Sequence, residues 1–224
     1  MATGTLRALT ILGLSLLATT SVYSQQIPMP DLCKLPQCSL TAVSGDWPQH
    51  SHAARTIELE VGPELVLSLP KPPQRVVHRN AILTFDLDGS RLIFHTYDAE
   101  AYGFTSDYGF DPFAINFVDF LRNAFEKTPE EEPKETAIEK SLFRYSQLLK
   151  AMQDMSEDTT ITHLSKAPIN VYYFQPESRS GQELHIAFVS NDAAPNAFLE
   201  IRGSGLSKAE FQQHVSGLST REAR

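Results

Sequence analysis

No apolar run in these 224 residues approaches the roughly 20 that a membrane-spanning helix needs. The longest, ALTILGLSLLA, covers only Ala8 to Ala18. Reaction signatures are missing as well. The chain has no Gly-x-Ser-x-Gly elbow for acyl transfer. It has no His-Glu-x-x-His zinc motif and no glycine loop that would cradle a phosphate. No catalytic residue, cofactor or metal is therefore assigned. Cysteine is scarce, with two residues, so this is no disulfide-dense scaffold. Positive charge is also short: 19 Lys and Arg face 27 Asp and Glu, a net charge of −8. Such a surface repels nucleic acid and anionic headgroups, and suits a soluble protein or one that meets a basic partner.

What is present starts with an export signal. Arg7 and the amino terminus precede the apolar run, and a small polar stretch, Thr19 to Ser24, follows it. That order is the secretory one, so residues 1–24 read as a cleavable signal peptide and no stable membrane anchor is expected. Val22 and Ser24 suit a cut before Gln25, with a cut nearer Ala18 as the alternative. Removing Arg7 leaves 18 cations against 27 acids, a net charge of −9, in a mature protein expected to work outside the cytoplasm, in an oxidising compartment. There Cys33 and Cys38, in DLCKLPQC, are expected to form a disulfide. Closing so short a loop is worth roughly 2 kcal/mol. A zinc site completed by His50 and His52 is the alternative.

About 200 mature residues suffice for one domain. Residues 25–54, rich in Pro, Gln and Ser, read as an irregular lead-in, and 55–220 as the folded domain. Strands are expected at Thr56–Glu60, Glu64–Leu69, Ala81–Asp86, Arg91–Tyr97, Ile169–Phe174, Glu183–Ser190 and Ala197–Arg202. Asp88-Gly89 between two of these runs is a hairpin signal. One helix is expected from an Asp111 cap with Pro112 at its first position, running to Lys127. A second would start at Ser141 and bury Leu142, Tyr145, Leu149 and Met152. The third starts at the capping box Ser207-x-x-Glu210 and turns Phe211, Val215 and Leu218 inward. TPEEEPKETA, residues 128–137, reads as a solvated loop. The order of strands, helices, strands and helix predicts an α+β fold: one compact domain, an antiparallel sheet packed with about three helices.

Residues 168–218 run from the aromatic strand PINVYYF through ELHIAFVS to FLEIRGSG and a capped helix. This pattern resembles the PsbP-like fold, which implies a sheet-and-helix sandwich with binding or scaffolding roles. As a whole, with signal peptide, acidic domain, one cysteine pair and no reaction motif, the chain resembles the small periplasmic immunity proteins of type VI secretion toxins. That resemblance implies a partner that is a secreted toxin with a basic cleft, occluded by this chain. An envelope scaffold or a hydrolase with an unrecognised site are the alternatives.

The seven histidines are scattered, and His95 and His185 fall inside expected strands, where a satisfied structural role is the ordinary one. Asp86 and Asp88 lack the acids that an EF-hand needs, and hairpin chemistry accounts for them. Gly203-Ser204-Gly205 reads as a turn into the last helix. The richest stretch is YDAEAYGFTSDYGFDPF, residues 97–113. Its Tyr97, Tyr102, Phe104, Tyr108 and Phe110 alternate with Asp98, Glu100 and Asp107, at spacings that suit neither helix nor strand. Aromatics set among acids make these eight residues the candidate partner surface. The competing expectation is that the phenylalanines turn inward and the loop covers the sheet.

Overall fold

The computed structural model describes residues 35–49, 56–62, 64–102, 104, 111, 114–177 and 183–221. They form the expected α+β domain. Its centre is an eight-stranded sheet. Three of its strands, β8 (Ile169–Phe174), β9 (Leu184–Asn191) and β10 (Ala197–Ser204), are buried on both faces. That double burial is why they read as nearly unbroken apolar runs and not as alternation. On one side they continue through β7 (Thr162–Lys166) to β1 (Val43–Gly45). On the other they continue through β6 (Arg91–Asp98) and β5 (Ile82–Asp86) to β4 (Arg75–Arg79) at the edge. All pairings in this sheet are antiparallel except β1 with β7.

One face packs on a three-stranded sheet of β2 (Ile57–Gly62), β3 (Leu65–Leu69) and β11 (Leu218–Thr220), together with helix α3 (Lys208–Ser216). The other face carries α1 (Phe117–Glu126) and α2 (Ala137–Ala151). Phe125 of α1 stacks on Tyr172 and Phe188, and Phe120 on Phe198. None of the described helices is long and apolar enough to cross a membrane.

Several local expectations shift. α1 is capped by Asn116, not Asp111: the Asn116 side-chain oxygen accepts from the Val118 and Asp119 amides. Pro112 lies outside the described residues, and Phe117 N–H is tied instead to Pro195 O at 2.7 Å. α2 starts a turn earlier than Ser141, because Thr136, inside the stretch that reads as loop, forms a reciprocal capping box with Glu139. Its buried face is set by Phe143, Gln147, Leu149 and Lys150, while Met152 lies beyond the helix end and is 61% exposed. Leu218 belongs to β11 rather than to α3, since Gly217 ends the helix. Gly203 and Ser204 complete β10, and Gly205 at φ +70° makes the turn.

The lead-in is more structured than its composition suggests. Besides β1, it contains a 3-10 turn at Pro36–Ser39 that buries Cys38. Cys33 lies outside the described residues, and so does the expected disulfide. The lead-in is held by the fully buried Lys150, whose ammonium donates to Leu40 O at 3.0 Å and to Lys127 O at 2.9 Å. Gln147 donates to Asn123 O and Lys127 O, so α2 satisfies carbonyls that the end of α1 leaves open.

Burial lowers the Lys150 ammonium to about 8, against a partial rise from nearby Cys38 and acids. A folded value below the unfolded one means that the unfolded chain holds the proton longer. Stability therefore rises with pH across the interval between the two values. Relative to Lys150→Met, the wild-type chain should gain stability from about pH 8 to about pH 10 in urea titrations. A constant difference over that interval contradicts this account.

Candidate functional site

The candidate stretch begins in β6. Tyr97 stands on the helix-bearing face of the sheet, stacked on Phe198 at 4.9 Å and against His95 at 4.0 Å. Its hydroxyl donates to Glu200, 3.0 Å away, a carboxylate buried in β10 and also held by Arg202. Burial first, and then the adjoining Glu200 charge, push the Tyr97 hydroxyl well above its ordinary value. Asp98 ends the strand; its carboxylate accepts the Ala101 amide at 2.8 Å and its carbonyl accepts the Tyr102 amide at 3.0 Å in the turn that reverses the chain. Glu100 is exposed at the tip of that turn. Tyr102 and Phe104 then fold back inward. Tyr102 lies 5.1 Å from Phe120, and Phe104 lies 5.2 Å from Tyr145. Phe104 is 1% exposed. The Tyr102 hydroxyl is buried without a hydrogen-bond partner among the described residues.

The structure thus separates the candidates. Asp98 and Glu100 face solvent, Tyr97 and Tyr102 are half-buried, and Phe104 belongs to the core. Asp107, Tyr108 and Phe110 lie outside the described residues. Sequence reasoning missed the feature beside them, because it is made by two helices and the connection between them. A groove of about 680 Å³ runs between α1 and the segment 131–142. Ile115, Phe120 and Leu142 supply its apolar lining. Phe120 also packs on Tyr102 and Phe104, so the groove adjoins the aromatic stretch. Four carboxylates, Asp119, Glu131, Glu135 and Glu139, stand around it against two cations, Arg122 and Lys127. Arg122 is already paired with Asp119 at 2.7 Å. Glu131 and Glu139 are aligned by the reciprocal caps at Thr128 and Thr136. The acidic run TPEEEPKETA therefore supplies two of the four carboxylates, Glu131 and Glu135, on the rim of a groove that also exposes apolar side chains.

His185 is fully buried between Tyr173 O–H at 3.0 Å and Leu206 O at 2.9 Å. The carbonyl can only accept, so Nε2 carries the proton and Nδ1 accepts from Tyr173: a satisfied core histidine. His163 comes nearest to a catalytic geometry. Its Nδ1 is 3.3 Å from Glu126, which also accepts from Tyr172 O–H at 2.6 Å. Ser165 lies on the same strand face, but the side-chain oxygen of Asn170 stands between the two. That oxygen accepts from the Ser165 hydroxyl at 3.1 Å and lies 3.4 Å from His163 Nε2. A serine activated by histidine must direct its proton to the ring, and here the proton goes to the amide. His50 and His52 lie outside the described residues. Asp86 is paired with Arg91 at 2.7 Å across the hairpin.

No group of three or more metal-binding side chains occurs among the described residues. A second cleft, of about 430 Å³, opens among Ser156, Asp158, Thr160, Glu177 and Lys208 on another part of the surface. It contains none of the candidate residues. Compared with known proteins, the chain matches no family model and no curated sequence.

Proposed function

We propose that the chain is a non-catalytic protein-binding protein of the periplasm, in its sharpest form an immunity protein that occludes the active site of a cognate antibacterial toxin. The observation that carries this reading is the groove with Ile115, Phe120 and Leu142 along it and carboxylates on its rim, which adjoins Tyr102 through Phe120. A toxin that binds a polyanionic or otherwise acidic substrate needs a basic cleft. A segment from the rim of such a cleft, carrying an apolar residue among lysines or arginines, matches the groove in both respects. Acidic residues around the groove would speed the encounter and reject acidic competitors. The apolar centre would hold the complex once formed.

Mature protein produced without residues 1–24, fixed to a support and exposed to lysate containing the toxin, should retain one stoichiometric partner at low salt. Raising the salt should release it, because rim charges are screened within about 10 Å at 0.1 M ionic strength. Failure to retain a stoichiometric partner removes the basis of the proposal.

A further inference from the structure

The described helices α1 and α2 cover only part of one face of the large sheet. α1 packs on β8, β9 and β10, and its rings reach only as far as Phe198 and its neighbour Tyr97. Beyond that line, the face formed by β6, β5 and β4 carries no helix of the described chain. The register places Arg91 and Ile93 of β6, Ile82 and Thr84 of β5, and Arg75, Val77 and Arg79 of β4 on this face. Ile82 is 40% exposed. The charge here is opposite to that of the whole chain. Among the described residues, Asp86 and Glu200 are the acids that the strand register places on this face, and Arg91 and Arg202 already neutralise them. Arg75 and Arg79 have no ion pair among the described residues, and they stand on the outermost strand of a protein whose net charge is −8.

β4 is also a sheet edge. It pairs with β5 on one side, and along the other no described strand pairs with it, so its backbone groups there can take a further strand. A strand added there would place alternate side chains on the two faces. One set would lie beside Arg75, Val77 and Arg79. The other would lie beside Val76, which is 51% exposed, and His78. The first environment calls for carboxylates and the second for apolar groups. A second copy of β4 would bring arginines against arginines, which opposes self-pairing. A nucleic acid would meet the acidic remainder of the surface and has nothing to offer Val76 or Ile82.

We propose that β4 is a docking edge for an extended acidic segment of a partner protein, alternating carboxylate and apolar residues, which joins the sheet as a ninth strand. This surface is distinct from the α1–α2 groove and stands or falls independently of it.

The test uses a fluorescent peptide of Glu-Val repeats, with a Lys-Val peptide, oligothymidylate and phosphatidylglycerol vesicles as rivals. The Glu-Val peptide should bind the mature chain at low ionic strength and the Lys-Val peptide should not. Arg75→Glu with Arg79→Glu should weaken Glu-Val binding by at least about tenfold and admit the Lys-Val peptide. Ile82→Glu, one exposed position on the next strand, serves as the second variant if the double one misfolds, and should weaken the same peptide. Equal binding of both peptides, indifference to these substitutions, or binding of the oligonucleotide or vesicles in place of the peptide overturns the proposal.

Discussion

Phe104→Ala is expected to lower the unfolding free energy by about 3–5 kcal/mol, the range for emptying a fully enclosed aromatic site. The ring is 1% exposed and lies within 5.2 to 6.2 Å of Tyr102, Tyr145, Phe120 and Phe117. Those neighbours come from three separate places: the β6 exit, α1 and α2. They cannot all move in to fill the space, and the Phe104 amide is pinned to Ala99 O at 2.8 Å. Urea unfolding of the variant checks the magnitude. The same substitution separates the two roles that the sequence allows for this residue. If Phe104 is a core residue, partner affinity of the folded fraction stays near wild type while stability falls. If stability is unchanged and affinity collapses, the ring belongs to the contact surface.

Gly203→Ala is expected to cost up to about 3 kcal/mol, the upper part of the usual range for overpacking a core. A methyl group there would overlap Cδ2 of Phe211 and sit 2.8 Å from its Cε2, with Leu206 Cδ1 at 3.2 Å. The Phe211 ring has no exposed surface and is hemmed in by Tyr173 and His185 at 5.6 and 5.2 Å. Relief would have to come from the β10–α3 junction itself. Gly89→Ala makes the comparison informative. It has open space around it and φ +76°, so it bears only the backbone cost of about 1–2 kcal/mol. A smaller loss at Gly203 than at Gly89 would show that α3 slides to make room.

The parts of the fold that the sequence reveals are those fixed by local chemistry. The Asp88-Gly89 hairpin, the Ser207–Glu210 capping box and the apolar runs of β8, β9 and β10 each carry their own signal within a few residues. The parts it conceals depend on distant neighbours. RVVHR becomes β4 because β5 offers it an edge, and its side chains are mostly exposed, so no periodicity marks it. Val43–Gly45 is a strand because β7 lies beside it in parallel. The start of α2 was available in principle, since Thr136-x-x-Glu139 is as plain a capping box as the one in α3. Acidic composition masked it. The candidate site divides along the same line. Aromatic content singled out residues 97–113, but the groove that gives the surface its shape is built across α1 and α2, and no contiguous stretch encodes it.

The groove's role as the partner site is tested most directly by covalent capture in cells that make the full chain. A photo-crosslinking residue at Glu135, exposed on the groove rim, should yield one discrete adduct with a basic protein. The same residue at Ser219, on the three-stranded sheet across the domain, should yield none. Capture at Ser219 with none at Glu135 would contradict the assignment of the groove.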